Sequence, residues 1–354
     1  MLKGVGLAKS SGKLRMTVFD AVDEYEWDRL AEHPHVRDSH KPPHFQKMVD
    51  NLSKAERITT MSTQSPLPLS TQLHLLSFKC VLLSALDENN TEIRNATSTG
   101  FIRAEADGNY LYTCWHVVAG YDPNDLKVKY PPRSRYLKVS MQASSVGENM
   151  HSIGGFRTFT ISLYDTSQTP IRPIWFQDDA HIPHPDLNAI GIHVPFWHDV
   201  VKIRMPPGFT CPETQLVTQR DLVPGALMNH FGDKVLIVGY PYGYSALGPS
   251  QPTPIALTRF VAAPQIAGRR REFLLESSGA PGMSGAPVFK EIQGSILLFG
   301  VYTGLIFPDF AQEKIERTTA LGTVVDISFL LNGSMQLTQT PTQALTSDGR
   351  PYEG

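Results

Sequence analysis

Short β-rich runs fill the chain between about residue 74 and residue 332. They include LHLLSFKCVLLSAL, NYLYTCWHVV, LNAIGIHV, KVLIVGY and SILLFGVYTG, and Gly, Pro, Asn or Asp residues separate them. Strands that follow one another at short spacing indicate an all-β sandwich or barrel. A segment rich in Pro and Gly, residues 197–232, divides the runs into two groups of about six, and EADGNY carries an Asp-Gly hairpin signal. The sequence therefore predicts an all-β fold in two parts.

The two ends of the chain have a different composition. In residues 1–72, Phe45, Met48, Val49 and Leu52 recur at helical spacing, and DAVDEYEWDRLAE is a second helical candidate. STQSPLPLSTQ follows, and its prolines and small polar residues are typical of a linker. The polar residues 335–354 are predicted to be disordered. We therefore expect a folded domain over residues 73–334, between a short helical N-terminal extension and a disordered tail.

Charge and cysteine spacing argue against several classes of protein. The formal net charge of -2 gives no electrostatic basis for nucleic acid as the main partner. No stretch approaches the roughly 20 apolar residues of a membrane span, and the N-terminal residues lack the apolar core of a secretion signal. Cys80, Cys114 and Cys211 lie far apart, without metal-ligand spacing. We expect a cytoplasmic protein with reduced thiols, no membrane contact, and no metal or other cofactor.

Ser284 is the strongest candidate nucleophile in the chain. It stands between glycines in APGMSGAPVF, at a turn before an apolar strand. Gly282 would let the backbone approach a substrate carbonyl, and amide N–H groups of the turn could face the developing oxyanion. The alternative is an ordinary Gly-Ser turn that enters a strand. A serine hydroxyl is a poor nucleophile without a base, so the turn has catalytic meaning only beside a histidine and a carboxylate.

Candidates for both partners are present. His116 ends the β-run YLYTCWHVV, and Asp186 directly precedes the apolar run LNAIGIHV, where it could accept a hydrogen bond from an imidazole. The alternative for Asp186 is a turn after the preceding proline. His181 and His184 form an H-x-x-H pair, but no further ligand spacing supports a metal site.

Three segments, TCWHVV, DLNAIGI and GMSGAPVF, occur in this order and resemble the His, Asp and Ser blocks of the chymotrypsin-like (trypsin-like) serine proteases. The chain is most similar to their disulfide-free bacterial branch, which includes the HtrA-type enzymes. TGFIRA, KVLIVGYPYG and GVYTG resemble further segments of that branch, so the resemblance covers about residues 75–332. It implies two six-stranded antiparallel β-barrels, over about 73–200 and 225–334, with the active site between them.

The resemblance also implies the role of each site residue. His116 would be the general base, Asp186 would orient its ring, and Ser284 would form the acyl-enzyme. The backbone N–H groups of Gly282 and Ser284 would form the oxyanion hole. The implied reaction is hydrolysis of peptide bonds in a polypeptide substrate.

The substrate pocket implied by the resemblance has Ser278 at its base and Thr303 and Gly304 in its wall. None of these residues is charged, so the pocket should prefer medium to large apolar or aromatic side chains over Lys and Arg. Glu276 would point to the same strand face as Ser278 and could reverse this preference.

A serine endopeptidase is therefore the expected function. The same residues are compatible with two alternatives. One is a catalytically silent protease-fold module that binds a partner, and the other is an esterase that uses the same triad. The combination of His116, Asp186 and Ser284 favours an enzyme, because a binding module has no chemical need for all three.

Overall fold

The computed structural model describes residues 75–122, 126, 134–147, 150–169, 171–222, 231–246, 253–267, 270–277, 279–306, 321–327, 337–346 and 348–353. The helices predicted within residues 1–72 and the predicted pocket residue Ser278 lie outside these ranges. None of the helices in these ranges has the length and hydropathy that a bilayer-spanning helix requires.

Strands dominate the described residues, and the helices among them are short. The strands are β1 (Val81–Leu86), β2 (Glu92–Glu105), β3 (Gly108–Thr113), β4 (Tyr136–Gly147), β5 (Met150–Ser162), β6 (Tyr164–Asp165), β7 (Arg172–Pro173), β8 (Gln177–Asp178), β9 (Ala180–Ile182), β10 (Val194–Pro195), β11 (Val201–Arg204), β12 (Leu216–Val217), β13 (Lys234–Gly239), β14 (Ile255–Ala267), β15 (Arg270–Leu275), β16 (Pro287–Ile292), β17 (Ser295–Ile306), β18 (Leu321–Asp326), β19 (Leu337–Thr338) and β20 (Gln343–Ala344). The α-helices are α1 (Trp115–Ala119) and α2 (Pro185–Ala189), and 3₁₀ turns cover Ser77–Lys79, Glu213–Gln215, Gln219–Asp221 and Pro241–Gly243.

The first sheet has the strand order β11-β3-β2-β1-β4-β5 and curls into a half-barrel, with β12 parallel to β2 at its side. The predicted Asp-Gly hairpin is confirmed, because β2 and β3 are joined at the pair Glu105–Gly108. Strand β11 starts at Val201, just beyond the predicted end of the first barrel, and pairs antiparallel with β3. This pairing determines the geometry of the site described below.

The second sheet is a closed barrel with the order β13-β14-β15-β18-β17-β16. Each half has an apolar interior of its own, and a third apolar cluster contains residues of both halves. In this shared cluster, Phe101 and Tyr112 of the first sheet pack with Tyr240, Phe289 and Val301 from the second half. The predicted all-β, two-part chymotrypsin-like fold is thus confirmed, with one closed barrel and one curled sheet.

One predicted strand is wrong. Most of LNAIGIHV lies in the short helix α2 and the turn after it, and only Val194, at the end of the run, belongs to a strand. The local sequence explains the helix, because Pro185 occupies its first turn and the N-cap residue His184 accepts a hydrogen bond from the N–H of Leu187 at 3.3 Å. A fixed proline φ and a side-chain cap stabilise a helix start more than the apolar run favours a strand.

The sequence predicts disorder for residues 335–354, but the described part of this segment, residues 337–346 and 348–353, contains paired strands. Strand β19 pairs antiparallel with β8, and strand β20 pairs parallel with β9, so this C-terminal segment lies against the first half of the domain. Leu345 is buried there. Backbone groups make the ladders, so the polar side chains that suggested disorder do not prevent the pairing.

Candidate active site

His116 lies in α1, directly after the end of β3. Its side chain is only 3% exposed. The helix is a single short turn that is capped by Gly120, whose φ of 78° is in the left-handed region that glycine tolerates. The turn thus brings a polar ring into a buried position at the end of the first sheet.

Asp199 is the carboxylate that holds this ring. Its Oδ2 lies 2.6 Å from Nδ1 of His116, and its Oδ1 accepts the backbone N–H of His116 at 3.0 Å. The two contacts fix both the position of the residue and the orientation of the ring. An Nδ1–H donated to the carboxylate leaves Nε2 with the lone pair, which is the tautomer that a general base requires.

Strand register explains why Asp199 reaches His116. Val201 of β11 pairs with Thr113 of β3, and the strands run antiparallel. Asp199 precedes that pair by two residues, and His116 follows it by three, so both lie at the same end of the two strands. The contact is therefore a direct consequence of the β11–β3 ladder.

Asp186, the residue predicted for this role, is not bonded to His116. It lies in the first turn of α2, exposed to solvent. The helix that replaces the predicted strand keeps Asp186 near its own N-terminus, where a carboxylate is stabilised by the backbone N–H groups. The expectation of a His116–Asp186 pair is therefore corrected to His116–Asp199.

A sequence signal for Asp199 existed. In DVVKIR, Asp199 directly precedes Val200 and the alternating run of β11, in which Val201 and Ile203 are buried and Lys202 and Arg204 are more exposed. An aspartate directly before a strand is the same pattern that the sequence predicts at Asp186. The Pro- and Gly-rich composition of residues 197–232 predicts a divider there and conceals this short strand.

The turn that carries Ser284 has all of its carbonyl groups engaged. The carbonyls of residues 280 to 284 accept, in order, from Met283 N, Tyr242 N, Thr99 Oγ1, Ala286 N and Thr99 N. In contrast, the N–H groups of Gly282 and Ser284 donate to no acceptor among the described residues. A trans peptide directs its N–H away from its carbonyl, so the bond from Tyr242 to the carbonyl of Pro281 also orients the N–H of Gly282.

These two donors are the groups predicted for the oxyanion hole. Gly282 has a φ of 91°, which only glycine adopts without strain. A Cβ added there would lie 2.5 Å from the carbonyl oxygen of Tyr240, so no other residue fits the turn without a backbone shift. The arrangement leaves two adjacent donors beside a serine hydroxyl, and such a pair can stabilise a negative oxygen.

Tyr302 links the serine turn to the histidine segment. Its carbonyl accepts the N–H of Gly285 at 2.8 Å and the thiol of Cys114 at 3.5 Å. One oxygen thus contacts the residue after Ser284 and the residue two before His116. Nε2 of His116 is buried and has no hydrogen-bond partner in the described part of the chain, so its bond to the Ser284 hydroxyl is not formed in this structure. Catalytic hydrogen bonds commonly tighten only when substrate is bound.

The predicted pocket residues differ in their surroundings. Thr303 is buried, and its hydroxyl lies 3.0 Å from that of Thr323. A Cβ added at Gly304 would meet no atom within 4 Å, so the wall is open there. The carboxylate of Glu276, the alternative specificity group, accepts the N–H of Phe260 at 2.6 Å and is exposed.

His181 and His184, the H-x-x-H pair of the sequence, make other contacts. His184 caps α2, and the ring of His181 contacts that of His193 with centroids 4.7 Å apart. In the described ranges, ligand atoms of Cys114, His116 and Asp199 lie within 4.8 Å of one another. The 2.6 Å contact between His116 and Asp199 accounts for two members of this group.

Comparisons with known proteins add little to this geometry. No protein-family model matches the chain, and no curated protein matches it. Among solved structures, the chain is similar to the crystal structure of Rv3671c from M. tuberculosis, a serine-to-alanine mutant in an inactive form. The TM-score is 0.39 at 16% identity, over 77% of this chain and 93% of that chain. A likeness at this TM-score does not establish a shared fold, so the two-part β architecture rests on the sheet topology of the chain itself.

Proposed function

We propose that this protein is a serine endopeptidase with Ser284 as nucleophile, His116 as general base and Asp199 as the carboxylate that orients the base. The observation that carries the proposal is the state of the buried His116 ring. Nδ1 is bonded to Asp199, while Nε2 has no partner among the described residues. A buried ring nitrogen without a hydrogen-bond partner is unfavourable. The hydroxyl of Ser284 could donate a hydrogen bond to this nitrogen when substrate is bound.

The proposed reaction begins when Nε2 of His116 takes the hydroxyl proton of Ser284. The Ser284 oxygen then attacks the substrate carbonyl carbon, and the carbonyl oxygen becomes an anion that the N–H groups of Gly282 and Ser284 stabilise. Nε2 returns the proton to the leaving amine, and the carbon–nitrogen bond breaks. Water hydrolyses the resulting ester by the same steps. Asp199 remains ionised throughout and stabilises the imidazolium.

Two measurements separate this proposal from its two alternatives. A silent binding module needs no donor pair beside Ser284, and the N–H groups of Gly282 and Ser284, which donate to no acceptor among the described residues, argue against it. An esterase would use the same groups, so only the substrate separates it from an endopeptidase. A fluorophosphonate probe tests for an activated serine, and an unbiased peptide library tests for amide cleavage.

The sharpest test compares two aspartates. Asp199→Ala should lower the rate of fluorophosphonate labelling on the order of 10⁴-fold, because the imidazole loses its tautomer and its orientation. Asp186→Ala should label at the wild-type rate, since Asp186 is exposed and makes no hydrogen bond to His116. Ser284→Ala serves as the unlabelled control.

Equal labelling of the two aspartate variants would contradict the assigned triad. Labelling of Ser284→Ala at the wild-type rate would show that the probe reacts elsewhere, and the proposed nucleophile would then be wrong. Labelling without cleavage of any library peptide, together with hydrolysis of simple esters, would favour the esterase.

A further inference from the structure

Asp178 is a buried carboxylate outside the proposed triad. It lies at the end of β8 with 0% exposure. Its Oδ2 accepts the backbone N–H groups of Trp197 and His198, each at 2.7 Å. One carboxylate oxygen therefore holds the two residues that directly precede Asp199.

His198 ties the same segment to the second barrel. Its ring is fully buried, and its Nε2 accepts the backbone N–H of Arg271 in β15 at 3.1 Å. An accepting Nε2 places the proton of a neutral ring on Nδ1, which lies 3.7 Å from Oδ1 of Asp178. The segment before Asp199 is thus held from both halves of the domain.

The C-terminal segment also contacts Asp178, because strand β19 pairs with strand β8. Leu337 of β19 pairs with Asp178 itself, and Thr338 pairs with Gln177. Strand β8 has only two residues, so the ladder with β19 is a substantial part of its backbone pairing. The position of Asp178 consequently depends on residues that follow the predicted domain, residues 73–334, in the sequence.

We propose that Asp178 and His198 are positioning residues that set the geometry of Asp199, and that β19 holds Asp178 in place. This inference rests on the proposed function only for its kinetic consequence. Asp199 contacts His116 through both carboxylate oxygens, so a small shift of residues 197–199 breaks both contacts together. A misplacement of about 1 Å in a catalytic group can cost about 100-fold in rate.

The test uses the full chain with matched substitutions. Asp178→Ala leaves two buried N–H groups without their acceptor and should lower fluorophosphonate labelling of Ser284 about 100-fold. Asp178→Asn keeps an oxygen acceptor and should regain most of this loss. Asp221→Ala is the control, because Asp221 also accepts a backbone N–H, that of Thr218 at 2.7 Å, and also stabilises a short turn. It should label at the wild-type rate.

A second measurement does not depend on activity. The short Nδ1–Oδ2 contact should give a downfield imidazole N–H proton in the NMR spectrum, assigned by its absence in His116→Ala. Asp178→Ala should shift or remove this signal, and Asp221→Ala should leave it in place. If the wild type fails to label but the signal responds as described, the proposed function fails and the positioning role stands.

Several outcomes would overturn the inference. Asp178→Ala could label at the wild-type rate with an unchanged signal, or Asp221→Ala could lose as much labelling as Asp178→Ala, which would indicate general destabilisation. Should Asp178→Ala not fold, His198→Ala removes the acceptor for Arg271 and loosens the same segment. A folded His198→Ala variant with wild-type labelling and signal would equally refute the role.

Discussion

Thr99 makes three hydrogen bonds that hold the shape of the turn that carries Ser284. Its N–H donates to the carbonyl of Ser284 at 3.0 Å, and its hydroxyl donates to the carbonyl of Gly282 at 2.8 Å. The same hydroxyl accepts the N–H of Tyr240 at 3.0 Å. Thr99 belongs to β2 of the first sheet, so one residue of the first half holds the turn of the second.

Two substitutions at Thr99 should separate the effect of its hydroxyl on the rate from the effect of its side-chain volume. Thr99→Val keeps the side-chain shape but leaves the carbonyl of Gly282 without a donor. That carbonyl belongs to the peptide between Gly282 and Met283, so the turn should distort there and misalign the N–H groups on either side, those of Gly282 and Ser284. We expect a loss of kcat of about 10²- to 10³-fold with little change in KM, because oxyanion contacts act mainly in the transition state.

Thr99→Ser keeps the hydroxyl and should stay near the wild-type rate. The measurement is steady-state cleavage of a peptide identified in the library, with circular dichroism to verify folding. A folded Thr99→Val enzyme with unchanged kcat would show that the turn holds its shape without this bond.

At the scale of elements, the ring of Tyr302 on β17 occupies the space beside the nucleophile turn. The ring is 1% exposed, and its hydroxyl accepts the N–H of Gly279 at 2.7 Å. A Cβ added at Gly279 or Gly322 would lie 2.8 or 3.2 Å from a ring atom, so the ring is packed between two glycines. Burial raises the pKa of Tyr302 to about 12, and the phenol therefore stays neutral at ordinary pH.

This packing predicts the size limit for a substrate side chain. The sequence predicts a pocket for medium to large apolar side chains, and we expect the buried Tyr302 ring between the two glycines to limit the depth of that pocket. Tyr302→Val should increase cleavage after Phe or Tyr relative to cleavage after Ala or Val by about tenfold or more. Tyr302→Phe keeps the ring and should retain the wild-type preference. The readout is the library cleavage profile, and identical profiles for all three proteins would rule out Tyr302 as the determinant.

At the scale of the whole molecule, two histidines in the first half make folding sensitive to acid. Burial lowers the pKa of His181 and of His193 below the ordinary value of 6.5, and their rings are in contact. As the pH falls below 6.5, the unfolded chain therefore binds more protons than the native state. The stabilisation from the neutral rings is fully present above pH 6.5 and is lost as the pH falls.

His193→Phe tests this linkage while keeping an aromatic ring against His181. The urea midpoint of the wild type should decrease from pH 7 to pH 5, and the variant should decrease less over the same range. Both series are measured at constant ionic strength. Parallel curves for the two proteins would mean that other groups cause the acid sensitivity.

The amino-acid sequence alone determined the features that depend on local patterns. Alternating apolar runs specify strands, Asp107 and Gly108 specify the tight hairpin, and Gly282 permits the turn before Ser284. His116 was identifiable because a β-run leads directly to it. For these features the deciding interactions join residues close together in the chain.

Contacts between distant parts of the chain select the carboxylate that faces His116 and the place of the C-terminal segment. Asp199 is 83 residues from His116, and its position follows from the pairing of β11 with β3. Asp186 has the same side chain and an apolar run after it, but a proline and a histidine cap turn its segment into a helix. The ladders of β19 and β20 likewise depend on partner strands more than 150 residues away. Such pairings use backbone groups that every residue carries, so composition cannot specify them, and the complete fold must select the partners.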